Sequence, residues 1–229
     1  MDKHYIQQEA YKLQKEIWEN KDVLWPNLKP SLINMLHPKE ACRLLGINYQ
    51  EFDSLGRFGY KGSRFESAGI INRKTKEIAV SNKFKSEMIR FTAAHELGHW
   101  ILHPNEIMHH DRPINNLEFF NEKRPDSERE ADYFAACFLM PYKLLKTKFE
   151  ETFLTNVPLH IDENTAFWLN QDNPDTLLYA DEERLDREIA VAFCQSYKCR
   201  HIHSLASQFK VSITAMAIRL KELEFIKWP

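Results

Sequence analysis

The chain has 229 residues, 43% of them apolar, which is enough to bury one large core or two small ones and excludes a mini-protein or a disordered tail. Its 31 Lys+Arg and 33 Asp+Glu leave a net charge of −2, which excludes chain-wide attraction to nucleic acid or an anionic membrane, so any such binding must be local. The four cysteines show no C-x-x-C spacing, and reduced thiols are expected.

In chain order, the first segment mixes acids, bases and apolar residues without a continuous apolar stretch. It therefore reads as neither signal peptide nor membrane span, and a cytoplasmic location is expected. Ile6, Ala10, Leu13 and Ile17 recur at three or four residues and predict an amphipathic helix from Tyr5 to about Asn20. A second helix should start at Pro38 and end at Gly46, a residue suited to the left-handed C-terminal position. Ile47 to Phe52 is a strand candidate, and Ala68–Ile71 and Glu77–Val80, joined by a polar turn from Asn72 to Lys76, read as a hairpin. The next helix should be capped by Ser86 and stopped by Pro104, with Phe91, Ala94 and Leu102 on its apolar stripe. About twenty residues of charged, proline-containing loop, Pro104 to Arg124, should separate it from a helix that opens at Pro125-Asp-Ser127 and closes at Met140-Pro141.

His95-Glu-Leu-Gly-His99 is an H-E-x-x-H motif. A helix puts residues four apart on one face, with Cβ atoms about 5–6 Å apart, so both imidazoles can reach one ion while Glu96 lies to the side as a general base. Zinc suits such a site, with manganese as the alternative metal. Gly98 permits close approach of another segment. The alternative is two ordinary histidines on an amphipathic helix. For a third ligand the chain offers His103, Glu128, Glu130 and the cluster His109-His110-Asp111. His103 lies about 12 Å along the axis from His95, which suits a supporting role better than ligation. Glu128 and Asp132 share the inward stripe with Ala135 and Leu139, so geometry favours Glu128 as ligand and Asp132 as a residue that orients a ligand histidine. Glu130 lies on another face and completes a capping-box pattern with Ser127. For oxyanion stabilisation His103, His109, His110 and Tyr133 stand as candidates.

The run Arg90 to His103 around this motif, followed by Glu128-x-Glu130-Ala-Asp-x-Phe-Ala-Ala and Leu139-Met-Pro141, resembles the ImmA/IrrE family of metallo-endopeptidases. The preceding hairpin fits as well, so the likeness covers about residues 35–141. It implies a gluzincin-like, minimal zincin core with zinc on His95, His99 and Glu128 and with Glu96 as base. It also implies a protein substrate, typically a helix-turn-helix repressor or an antitoxin, whose cleavage relieves transcriptional repression. Two departures are Asp132, where the family often has Asn, and a longer segment between about 142 and 200.

Asp181 to Tyr197 has a helical pattern, and Leu205 to Leu223 resembles a helix-turn-helix with Val211-Ser212 at its turn and Ser212 or Thr214 as cap. Residues 195–229 hold six basic and two acidic side chains, a local +4 that leaves −6 elsewhere. DNA contact by Lys210, Arg219 or Lys221 is one reading of this charge, and a packing or substrate-gripping subdomain is the favoured one. Cys194, Cys199, His201 and His203 offer a second, weaker metal pattern. The expected fold is α+β: a peptidase core over 1–141 and a mostly helical subdomain over 142–229, helix-turn-helix-like at 204–226. The expected function is zinc endopeptidase. The alternative is a DNA-binding or protein-binding regulator with a structural or silent metal site.

Overall fold

The structure, a computed structural model, describes residues 1–60, 63–105, 108–111 and 125–228, with only the backbone described for 58–60, 63–65 and 108–111. The chain divides into two compact units, Met1–Leu139 and Met140–Pro229. The fold is α+β.

In the first unit, α1 (Lys3–Glu19) starts where the Asp2 carboxylate accepts from the Tyr5 amide, and it buries Ile6, Ala10, Leu13 and Ile17, the stripe its sequence predicts. Each large side chain removed from water here contributes about 1.5–3 kcal/mol. The short helices α2 (Lys21–Leu24) and α3 (Leu32–Met35) lead to α4 (Pro38–Leu44), whose proline sits in the first turn and which is followed by Gly46 at φ +68°.

Next come β1 (Asn48–Phe52), the hairpin β2 (Arg57–Tyr60) and β3 (Ser63–Glu66), then β4 (Gly69–Asn72) and β5 (Glu77–Ser81). The β4–β5 hairpin has the expected place and turn, where Asn72 Oδ1 accepts from the Lys74 amide. One sheet has the order β1-β5-β4-β6, with β1 parallel to β5 and the other two pairs antiparallel. Its fourth strand, β6 (Met108–Asp111), lies inside the segment that the sequence reads as loop. Its polar residues carry no strand periodicity, and backbone pairing with β4 defines it.

The sheet and α4 pack against α5 (Ser86–Leu102), which in turn packs on α6 (Asp126–Leu139). Ser86 is the first helical residue rather than the cap, a place taken by Lys85. The expected single stripe is too narrow a description, because every residue from Arg90 to His99 is buried. Small residues allow this: a Cβ on Gly98 would lie only 3.0 Å from Ala131 Cα of α6. On its other side α6 carries α1, joined by Gln7 Nε2 donating to Tyr133 Oη (2.6 Å) and Gln14 Nε2 donating to the Cys137 carbonyl (2.9 Å).

The second unit contains α7 (Tyr142–Phe153), β7 (Leu159–His160), α8 (Glu163–Leu169), α9 (Asp175–Leu178), α10 (Asp186–Phe193), β8 (Ser196–Tyr197), β9 (Arg200–His201), α11 (Leu205–Phe209), α12 (Ile213–Glu222) and β10 (Ile226–Lys227). Aromatic contacts such as Phe149–Phe225 (5.2 Å between ring centroids) and Phe153–Tyr197 (5.1 Å) fill its core. The predicted helix to Tyr197 ends instead at Phe193, and the following residues form the β8–β9 hairpin, with Lys198 and Cys199 at φ 49° and 60°. Lys210 at φ 55° turns the chain between α11 and α12, and Ser212 caps α12 by accepting from the Ala215 amide (3.1 Å). The basic groups here work within the unit. Arg219 is buried and donates to the Met140 carbonyl, whereas Lys221 donates to the Glu182 and Arg184 carbonyls.

Candidate metal centre

Residues His95 and His99 are one helical turn apart on α5, both fully buried. Their Nε2 atoms are 3.0 Å apart. From α6, Glu128 brings Oε1 to 3.2 Å from His99 Nε2 and Oε2 to 3.7 Å from His95 Nε2, while its side chain keeps 15% exposure. Two nitrogens and a carboxylate bonded to one tetrahedral zinc at about 2.0–2.1 Å would stand about 3.3 Å from one another. The observed separations of 3.0, 3.2 and 3.7 Å bracket that value. The three residues are the cluster among the described residues whose ligand atoms suit a metal ion. Cys194, Cys199, His201 and His203 form no such group. Cys194 is buried with its thiol directed to the Ser196 carbonyl, and Cys199 is exposed.

The surroundings fix the orientation of each histidine. His95 Nδ1 lies 2.8 Å from Asp132 Oδ1. A carboxylate only accepts, so this contact puts a proton on Nδ1, and in the neutral imidazole the Nε2 lone pair is turned toward Glu128 and His99. His99 Nδ1 lies 3.0 Å from His103 Nδ1, and His103 Nε2 lies 3.1 Å from Glu130 Oε2. Both ring nitrogens of His103 are therefore engaged by neighbours. This arrangement also corrects the mundane role given to Glu130: α6 begins at Asp126, Ser127 lies inside the helix rather than capping it, and Glu130 bonds His103.

Glu96 follows His95 by one residue, a rotation of about 100° around the helix. That step turns it onto the sheet, where it is fully buried against Gly69 of β4. A Cβ at residue 69 would come within 2.8 Å of Glu96 Cγ and 2.9 Å of its Cδ. Sequence reasoning placed Gly69 in the hairpin without a role, and only the tertiary approach of α5 to β4 reveals one. Arg73 was missed in the same way. From the β4–β5 turn its guanidinium donates to the carbonyls of His99 (2.8 Å), Trp100 (2.9 Å) and His103 (3.0 Å) and lies 4.6 Å above the Trp100 ring. A cation there satisfies the open carbonyl end of the motif helix.

Among the other candidates, the Tyr133 hydroxyl lies in the α1–α6 interface, where it accepts from Gln7. The backbone of residues 109–111 runs in β6 beside β4. The side chains of His109, His110 and Asp111, and the stretch 112–124 of the expected loop, lie outside the described residues.

The donor set of two imidazoles and one carboxylate fits a divalent metal. Among curated proteins none matches the chain. A family model does: that of the IrrE N-terminal-like domain, a peptidase family, matches residues 42–159. The match takes in the hairpin, the motif helix α5, Glu128 and the helix that carries it. The chain belongs to the IrrE N-terminal-like domain family of peptidases.

Proposed function

We propose that the chain is a zinc-dependent endopeptidase that hydrolyses one peptide bond in a regulator protein, a helix-turn-helix repressor or an antitoxin, in the cytoplasm. The observation that carries this reading is the convergence of His95 Nε2, His99 Nε2 and the Glu128 carboxylate, with Glu96, the residue that follows His95, fully buried. His95, His99 and Glu128 would hold the metal. A zinc ion bound there supplies a Lewis acid for the scissile carbonyl and acidifies water. Glu96 takes the proton of the attacking water and returns it to the leaving amine. Its position against the backbone of β4 limits the carboxylate to a narrow range of orientations, which keeps it aimed. Asp132 and His103 hold the two ligand imidazoles in the tautomer that offers Nε2. In this reading residues 1–141 form the peptidase core, and residues 142–229 form a helical subdomain that contributes to substrate grip. Internal use of Arg219 and Lys221 favours that role over DNA contact.

The test uses the wild type and Glu96→Gln, each loaded with zinc and incubated with helix-turn-helix repressors encoded beside its gene, the fragments being read by mass spectrometry. The expected result is cleavage at one bond by the wild type only, with equal metal content in both proteins. Equal cleavage by Glu96→Gln, or a zinc-loaded wild type that leaves every such repressor intact, would contradict the proposal.

A further inference from the structure

The two ligand histidines are supported differently. His95 rests directly on a carboxylate, that of Asp132, at 2.8 Å. His99 meets a second imidazole, and the carboxylate comes one step later, on Glu130. We propose that Glu130 and His103 form a two-residue relay that fixes the tautomer and orientation of His99, making both positioning residues for metal capture. This inference rests on the metal-site reading above and adds to it a role for Glu130.

The chain of hydrogen bonds permits one consistent assignment when His99 and His103 are both neutral. Glu130 as a carboxylate only accepts, so His103 carries its proton on Nε2. Its Nδ1 is then a lone pair, which can only accept from Nδ1–H of His99, 3.0 Å away. His99 is left with a lone pair on Nε2, the atom that lies 3.2 Å from Glu128 Oε1 and 3.0 Å from His95 Nε2. Every contact in the chain thus points lone-pair density at the place where ligand atoms converge. His103 is held for the task from two sides. Its ring lies 5.0 Å from that of His99, centroid to centroid, and its carbonyl accepts from Arg73 at 3.0 Å. It stands just past the last helical residue of α5, where its ring spans the gap between α5 and Glu130 of α6.

The experiment measures zinc affinity of the full chain by competition with a chromophoric chelator for the wild type, Glu130→Ala, Glu130→Gln, His103→Ala and the double variant Glu130→Ala/His103→Ala. It also reads the His99 tautomer from the ring nitrogen shifts in a long-range proton–nitrogen NMR spectrum. Loss of a residue that supports a metal ligand weakens binding about 10- to 100-fold, and that loss is expected for either single alanine variant, with the double variant no weaker than the worse single one. Glu130→Gln keeps an acceptor oxygen and the side-chain shape, so it should recover part of the loss and retain His99 protonated on Nδ1. Affinities within about twofold of the wild type in the alanine variants, or losses that add in the double variant, would overturn the relay while leaving the metal site intact. A wild type without zinc affinity would overturn the metal-site reading itself and the relay with it.

Discussion

In the proposed mechanism Glu96 depends closely on a neighbour with no functional group. The β4 backbone passes so near its carboxylate that residue 69 has no space for a Cβ. Gly69→Ala should leave the strand paired, because an extended backbone accepts alanine, but it must push Glu96 away. The expected outcome is retained zinc and an about 100-fold drop in kcat, the scale of loss that a misplacement of about 1 Å can cause. Steady-state kinetics with a metal assay checks it, and unchanged kcat would show that Glu96 tolerates the shift. At this scale the sequence was most legible where the helix repeat alone fixes geometry. His95 and His99 at i,i+4, and Glu128 with Asp132 at the same spacing on the next helix, come together as their spacing predicts. Gly69, Arg73 and the Glu130–His103 contact stayed hidden, because each depends on which elements meet across the core.

Among the elements, α5 carries the motif and ends where its carbonyls need donors. Arg73 supplies them to three carbonyls at once. Arg73→Ala should cost about 2 kcal/mol of stability, the range for hydrogen bonds to a charged group, measured as a lower urea midpoint with unchanged slope. In the second unit, Asp162 caps α8 by accepting from the Thr165 amide at 2.7 Å, and that bond, the largest cause, holds its carboxyl below its ordinary 3.8. A lowered folded-state pKa means stability that is present above pH 3.8 and lost as pH falls through the folded value. Loss of this cap in Asp162→Ala should cost about 1 kcal/mol at pH 7, and the gap to the wild type should narrow below about pH 4. Urea melts at both pH values check it. A long element with a clear repeat, such as α1, was legible, and α5 was legible from its bounds and its H-E-x-x-H motif rather than from a stripe. The strand β6 and the two-residue pairs β7–β10 and β8–β9 were not, since so few residues establish no period, and for β6 and the β7–β10 pair the partner is also distant in the chain. Nor did periodicity mark the end of α10, where the hairpin after Phe193 depends on two left-handed residues, neither of them glycine.

For the whole molecule, the charge balance and the internal use of basic groups agree. A net charge of −2 gives no general pull toward nucleic acid, and two of the three basic side chains offered for DNA contact are bonded within their own unit. Among the described residues no helix is long and apolar enough to cross a membrane. The family match covers residues 42–159 and so includes the beginning of the second unit, Met140–Pro229, as well as most of the first. The central claim is that His95, His99 and Glu128 hold one metal ion, and elemental analysis tests it most directly. Wild type and Glu128→Ala are each incubated with zinc, freed of excess and assayed for metal per chain. About one zinc per wild-type chain, lost from Glu128→Ala while its circular dichroism is unchanged, is the expected result. A wild type that retains no zinc, or a Glu128→Ala variant that retains as much as the wild type, would contradict it.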